Sequence, residues 1–157
     1  MRQAQTLKEA QLRRVLHYCR SRRHPIRDET IVMVSFYAGL RAKEIAALTV
    51  GNVFDEAGAV RSKFILSADQ NSPLFESQKG GHFSANTMCQ LFLDVHKACG
   101  LKDASSHSGR RTYITRLANN GVGVRLLAEL AGHSHISTTQ RYIYVNSEHL
   151  SQAVELL

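Results

Sequence analysis

Apolar residues at helical spacing dominate the beginning of the chain. They recur on one helical face at Leu12, Val15, Leu16 and Cys19. Just before them, the segment TLKE that starts at Thr6 has the spacing of a capping box, in which the first and last side chains bond each other's backbone N–H groups. This pattern predicts a first helix over about residues 6–20.

Two further helices are predicted before residue 50. The segment DETIVMVSFYA, residues 28–38, starts with acids that suit a helix N-terminus and is then apolar on nearly every side. This pattern predicts a buried central helix, and Gly39 is a natural residue to end it. Residues 41–48 form the next predicted helix, with Ile45 and Leu48 facing inward.

The second half of the chain alternates capping residues with apolar runs, which also indicates helices. Ser84, Ser106 and Ser137 are predicted caps, because a serine hydroxyl accepts a hydrogen bond from the first turn of a helix. The predicted helices cover residues 84–100, 106–119, 124–131, 137–142 and about 147–157. The last of them has apolar residues at helical spacing, so it can pack on its own domain or on a neighbouring molecule.

The region between the two halves has a different pattern. Residues 50–59 contain the Gly and Asp of turns, residues 60–66 have the character of a strand, and residues 67–83 are rich in loop-forming residues. A strand needs a partner, and we expect one in the neighbouring 50s. The predicted fold is therefore mainly α with a small antiparallel β-sheet (α+β), in a single domain over residues 1–157.

Composition narrows the class of partner. The chain has 20 Lys plus Arg against 13 Asp plus Glu and a formal net charge of +7, so nucleic acid is the leading partner class. Three cysteines without a CxxC pair favour reduced thiols. The N-terminus lacks the apolar core of a signal peptide, and no apolar run is long enough to span a membrane. We therefore expect a cytoplasmic protein without a membrane partner.

Two arginines stand in settings that suit anion binding. His107 and Arg110 are three apart on a predicted helix, so both side chains project from one face and can reach one phosphate. Arg41 follows Gly39 at a helix start, and Glu44 is one turn away, where a carboxylate can hold a guanidinium in position. The alternatives are a solvated basic turn for the first pair and an ordinary surface ion pair for the second.

His133 and Tyr142 form the second candidate group. Tyr142 lies nine positions after His133, on a short capped segment, and a tyrosine can be a covalent nucleophile or simply a core residue. Tyr144 competes for the role, although residues two apart on a helix point to nearly opposite sides. Because no acidic or cysteine ligands accompany His133 and His135, we expect no metal site. The absence of GxSxG, P-loop and GxGxxG motifs argues against serine-hydrolase and nucleotide chemistry.

Two segments resemble the motifs of the tyrosine recombinases, the phage integrase family. They are AGLRAKEIAALTVGNV and SSHSGRRTYITRLANNGVGVRLLAELAGHSHISTTQRYIYV, and they carry GLRxxE, HxxR, GH and TTxxYxxV in the family's order. The resemblance covers about residues 6–145. It implies the catalytic-domain fold of that family and an enzyme of site-specific DNA recombination or integration, which cleaves and rejoins DNA strands.

The resemblance also implies a role for each candidate residue. The implied catalytic set is Arg41, His107, Arg110, His133 and Tyr142. The arginines would clamp the scissile phosphate, the histidines would support proton transfer and phosphate binding, and the tyrosine would form a 3′-phosphotyrosyl link, with Glu44 bracing Arg41. DNA contacts are expected from Arg41, Arg110, Arg111, Lys79 and Arg141. The implied partners are double-stranded DNA and other recombinase protomers on DNA, with no metal, nucleotide or other cofactor.

The chain departs from the family pattern at two important places. In the family, a lysine on a β-hairpin protonates the leaving 5′-oxygen, but neither Lys63 nor Lys79 stands in such a hairpin, so we expect slow cleavage. Members also carry an N-terminal core-binding domain, whereas this chain begins at the catalytic domain, so we expect weaker DNA affinity. Arg111, a smaller departure, stands where the family often has histidine. The alternative function is a catalytically impaired DNA-binding or self-associating remnant that regulates a full-length recombinase.

Overall fold

The computed structural model describes residues 4–62 and 72–142. Within these ranges the chain forms eight α-helices: α1 (Glu9–Arg20), α2 (Pro25–Tyr37), α3 (Ala42–Ala47), α4 (Val50–Val53), α5 (Ala85–Ala98), α6 (Ser108–Asn119), α7 (Val124–Leu130) and α8 (Ile136–Gln140). The mainly helical class is therefore confirmed. The predicted last helix and part of the predicted strand lie outside the described residues.

The core lies where α1, α2, α3 and α5 meet. Helices α1, α3 and α5 bury the apolar faces that their sequence periodicity predicts. Helix α2, predicted to be buried on nearly every side, instead buries one face and exposes Met33 and Tyr37. The largest fully buried side chains include Leu12, Ile31, Phe36, Ile45, Met88 and Phe92. Helix α5 begins where predicted, because Ser84 Oγ accepts a hydrogen bond from Thr87 N at 3.1 Å. These four helices form the support on which the remaining helices position the candidate residues.

Helix α6 crosses α2 at very short range. A Cβ atom built on Gly109 would lie 2.2 Å from Ser35 Oγ, so only a glycine allows this approach. At the end of α2, Gly39 has a φ of +66°, and a Cβ there would meet the Tyr113 ring at 2.4 Å. The two glycines thus allow α6 to pack tightly against α2, and Arg110 is the next residue along α6.

Several helix starts differ from the sequence prediction. Helix α1 begins at Glu9 rather than near residue 6, because Gln11 Oε1 accepts from Lys8 N at 2.8 Å and forms the cap there. Ser106 does not cap α6, which starts at Ser108 after His107. Ser137 lies inside α8, which starts at Ile136. Neighbouring polar residues compete for such caps, which explains shifts of this size.

The predicted antiparallel sheet is wrong for the residues that the structure describes. These contain no named strand, only isolated antiparallel bridges that join Thr49 to Pro73, Phe54 to Val60, and Glu76 to His82. The 50s do pair with residues 59–61, since Asp55 N donates to Ala59 O at 2.9 Å. This pairing does not extend into a ladder because α4 occupies the preceding residues. Pro73 also lacks the backbone N–H that a ladder requires.

Residues 4–8, which precede α1, lie against α6 and its N-terminal loop. Leu7 N donates to Thr112 Oγ1 at 2.9 Å, and Gln5 N donates to Asp103 O at 3.1 Å. These bonds bring Ala4 close to the start of α6. Among the helices in the described part of the chain, none has the length and apolar composition to cross a membrane.

Candidate active site

Arg110 is the buried centre of the candidate site, with 5% of its surface exposed. Its Nη1 donates to Gly39 O at 2.8 Å, and its Nη2 donates to Ala131 O. These carbonyls follow α2 and α7, and helix C-termini have carbonyl groups that lack helical partners and attract cations. Burial and the charge of Arg41 lower the pKa of Arg110, but a guanidinium stays protonated in proteins.

Glu44 connects the two arginines. Its Oε1 accepts from Arg41 Nη1 at 2.7 Å, its Oε2 accepts from Arg41 N at 2.7 Å, and Arg110 Nη1 lies 3.8 Å from Oε2. Partial burial opposes ionisation of Glu44, but the hydrogen bonds from Arg41 hold the pKa of this carboxyl below its usual range. The carboxylate is therefore charged at neutral pH, and it reduces the repulsion between the two guanidinium groups.

His133 and Tyr142 lie next to each other. Their rings are stacked, with centroids 6.0 Å apart and an interplanar angle of 17°. His133 follows α7, whose end is near Arg110 because Ala131 O accepts from that side chain. Burial and the charges of Arg110 and Arg41 lower the pKa of His133, so its ring is neutral at pH 7.

Thr139 joins His133 to the turn that carries Tyr142. Its hydroxyl Oγ1 lies 2.8 Å from His133 Nδ1, and its backbone carbonyl accepts from Tyr142 N at 2.9 Å. Thr139 is fully buried. Sequence reasoning missed this residue, although it belongs to the TTxxY motif, because the burial of a threonine depends on how α8 packs against α7.

His107 and Tyr142 line the same cavity. A cavity of about 290 Å³ is lined by Ala4, His107, Arg111, Thr138, Arg141 and Tyr142. The Arg111 guanidinium lies 6.0 Å from the centre of the Tyr142 ring, and its Nη1 donates to Ala4 O at 2.8 Å. The cavity thus combines a tyrosine, a histidine and two arginines, a set that suits a phosphate.

The structure brings the predicted catalytic residues into one neighbourhood, but not all through the same cavity. Glu44 joins the two arginines, whose charges act on His133, and Tyr142 links His133 to the cavity of His107. His107 is exposed, whereas Arg110 is buried. The two side chains therefore differ in environment more than the prediction of one shared helical face implied. Within the described ranges, no group of three or more His, Cys, Asp or Glu side chains has the arrangement of a metal site.

The alternative candidates Lys63, Lys79 and Tyr144 are not among the described residues that form the site. Lys79 lines a different cavity of about 500 Å³, whose lining includes none of the five predicted catalytic residues. There it is accompanied by Arg22 and Arg27, which both form ion pairs with the buried Asp28. Lys63 and Tyr144 lie outside the described residues.

The chain matches the model of a known protein family. A model described as the phage integrase family matches residues 60–149, which is more than half of the chain. The chain belongs to the phage integrase family. The tyrosine recombinase XerA of Pyrococcus horikoshii is 28% identical over 156 residues, which covers 83% of this chain and 54% of that protein. The chain spans about half the length of the curated relatives that it matches.

Solved structures share the fold of this integrase-family chain. The crystal structure of XerA recombinase matches with a TM-score of 0.73 and 26% identity, covering 99% of this chain and 66% of the other. The Tn1549 transposon integrase (aa 82–397), solved in complex with circular intermediate DNA, matches with a TM-score of 0.76 and 19% identity, covering 99% and 67%. The predicted resemblance to the catalytic-domain fold of tyrosine recombinases is confirmed.

Proposed function

We propose that this chain catalyses site-specific DNA recombination by cleaving and rejoining DNA strands through a 3′-phosphotyrosyl intermediate. The observation that carries the proposal is the stacking of His133 on Tyr142 beside the paired guanidinium groups of Arg41 and Arg110. A tyrosine without such neighbours can have many roles in an enzyme that acts on nucleic acids. A tyrosine next to two arginines and two histidines has the groups that phosphoryl transfer requires.

The proposed cleavage step is a displacement at phosphorus. Tyr142 Oη forms a bond to the phosphorus, the bond to the 5′-oxygen breaks, and the 3′-phosphate remains on the tyrosine. Arg41 and Arg110 stabilise the charge on the non-bridging oxygens in the transition state, and Glu44 keeps them in position. The phosphotyrosyl bond retains the energy of the original phosphodiester. Attack by a 5′-hydroxyl from another strand therefore completes the exchange.

Proton transfer in the proposed reaction has a candidate base in the site, whereas Lys79, a candidate acid, lies elsewhere. His107 shares a cavity with Tyr142 and takes up the phenolic proton in this proposal, because neutral imidazole accepts protons near pH 7. The leaving 5′-oxygen also needs a proton, and Lys79, a lysine of the expected region, lies in the other cavity. In this proposal water supplies the proton. We therefore propose slow cleavage relative to a complete family member, since a general acid contributes about a hundredfold to ten-thousandfold.

Double-stranded DNA is the proposed substrate. The cavity around Tyr142 is lined by Arg111 and Arg141, and the chain has a net charge of +7, both of which favour a polyanion. The Tn1549 transposon integrase with a similar fold was solved with DNA. Other recombinase protomers on DNA are the second proposed partner, as the resemblance implies.

A second candidate function is a DNA-binding or self-associating regulator with impaired catalysis. The separation of Lys79 from the five predicted catalytic residues favours it, because the phosphate-binding groups are then present without this general acid. The two candidates share DNA binding and differ in chemistry. An assay for the covalent intermediate distinguishes them.

The test uses labelled duplexes with a randomised core and a nick that lets the cleaved 5′ fragment diffuse away, which traps the protein on DNA. We expect a covalent adduct on a denaturing gel, its loss in Tyr142→Phe and its retention in Tyr37→Phe, a control at an exposed tyrosine. An adduct that persists in Tyr142→Phe refutes the nucleophile assignment. No adduct in the wild type, together with salt-sensitive DNA binding, supports the regulator.

A further inference from the structure

A hydrogen bond joins Thr139 to the imidazole of His133, and its direction depends on which ring nitrogen carries the proton. A neutral histidine has one N–H donor and one acceptor nitrogen, and the partner of one nitrogen sets the state of the other. Here Nδ1 lies 2.8 Å from Thr139 Oγ1. Nε2 is thus the nitrogen that remains for a phosphate.

The hydroxyl proton of Thr139 decides between the two possible directions of this bond. Thr139 is fully buried, and among the described residues His133 Nδ1 is the hydrogen-bond partner found for its hydroxyl. If Nδ1 carried the proton, the hydroxyl would accept and its own proton would be buried without a partner, which is unfavourable. If the hydroxyl donates instead, both groups are satisfied. The second arrangement requires the ring proton on Nε2.

We propose that Thr139 is a positioning residue that fixes neutral His133 with its proton on Nε2, so that this nitrogen donates a hydrogen bond to a non-bridging oxygen of the scissile phosphate. The phosphate part rests on the proposed function, whereas the tautomer does not. A neutral donor suits this place, because Arg41 and Arg110 already supply two positive charges to the group.

Thr139 also fixes the position of the ring relative to the nucleophile. Its carbonyl accepts from Tyr142 N at 2.9 Å, while its side chain bonds the ring that stacks on Tyr142. One buried residue therefore holds both partners of the stacked pair. Loss of the hydroxyl frees the ring without breaking the backbone bond to Tyr142.

The first test reads the tautomer without DNA. In the whole chain labelled with nitrogen-15 on histidine, long-range proton–nitrogen spectra at mildly alkaline pH distinguish the protonated from the unprotonated ring nitrogen, and His133→Gln assigns the signals. We expect Nε2 protonated in the wild type and in Thr139→Ser, and a mixture of tautomers in Thr139→Val. A wild-type ring protonated on Nδ1 overturns the proposal, whether or not any variant folds.

The second test reads the consequence in the adduct assay. Orienting partners of histidine ligands in metal sites contribute about tenfold to a hundredfold to activity, and we expect a loss of this size in Thr139→Val with rescue by Thr139→Ser. Thr115→Val is the matched control, because the buried Thr115 hydroxyl has no hydrogen-bond partner in the described chain. Equal adduct formation in Thr139→Val and the wild type overturns the positioning role. If the wild type forms no adduct, the proposed function fails, while the tautomer remains decided by the spectra.

Discussion

Glu44 accepts two hydrogen bonds from Arg41, one from the guanidinium and one from the backbone N–H, each at 2.7 Å. The same carboxylate lies 3.8 Å from Arg110 Nη1. The carboxylate that accepts from the backbone of the N-cap residue of α3 is thus also the counter-charge of the two arginines. Sequence spacing predicted its contact with Arg41, whereas its proximity to Arg110 depends on the packing of the fold.

We expect Glu44→Gln to lower the free energy of unfolding by about 1–3 kcal/mol. The substitution removes charged hydrogen bonds, and the repulsion between the two guanidinium groups is no longer offset by a carboxylate. The pKa of Glu44 is lowered in the folded state, so its contribution is present above its unfolded pKa and is lost as the pH falls through the folded value. Urea unfolding of both proteins across acidic pH measures the difference. It should shrink with decreasing pH.

Glu56→Gln provides the matched control, since Glu56 is exposed in the turn after α4. We expect it to change stability by less than about 0.5 kcal/mol. A difference between Glu44→Gln and wild type that stays constant down to low pH contradicts the assigned charge of Glu44.

Gly109→Ala should separate α6 from α2. The added Cβ would lie 2.2 Å from Ser35 Oγ and 2.9 Å from the Ser35 carbonyl carbon, and such overpacking costs about 1–3 kcal/mol. Because Arg110 is the next residue, we also expect less adduct in the trapping assay. Thermal unfolding measures the first effect. Gly123→Ala is the control, since a Cβ there meets nothing within 4 Å; equal melting temperatures for both variants would show that the α2–α6 contact adapts.

The extent to which the sequence predicts this molecule differs between its parts. Helix α5 is predicted almost to the residue, because its apolar period and the Ser84 cap agree. The N-cap of α6 is wrong by one residue, His107 instead of Ser106, since Ser105 and Ser108 form the preceding turn with each other and leave Ser106 out of the cap. The role of Thr139 cannot be predicted locally, because it depends on tertiary burial.

His96 is a second residue whose environment the sequence does not reveal. It is 1% exposed, and neither ring nitrogen has a hydrogen-bond partner in the part of the chain that the structure describes. Burial lowers its pKa to about 4, so the folded state resists protonation. Stability should fall as the pH drops from about 6.5, the usual pKa of unfolded histidine, to about 4, by about 3 kcal/mol in total.

We expect His96→Leu to remove this acid-side loss and to be neutral or stabilising at pH 7, because leucine fills the site without unsatisfied nitrogens. Denaturant unfolding at several pH values gives the free energy of unfolding of each protein. The difference between wild type and variant at each pH isolates the contribution of His96 from that of the carboxylates. His17→Leu, which removes a histidine from an exposed position of α1, is the control. Parallel profiles for wild type and His96→Leu would mean that His96 is solvated in solution.

Arg141 is exposed and lines the cavity that contains Tyr142, so DNA that enters this site should contact it. Each phosphate contact that is lost reduces the slope of the logarithm of affinity against the logarithm of salt by about 0.9. We therefore expect Arg141→Gln to lower the slope by roughly one unit across all DNA sequences, as measured by fluorescence anisotropy at several salt concentrations. Arg125→Gln removes the same charge from an exposed position of α7 outside the cavity, and its slope should match the wild type. If both variants lower the slope equally, the protein attracts DNA through its overall charge, and the cavity around Tyr142 does not hold a phosphate in the bound state.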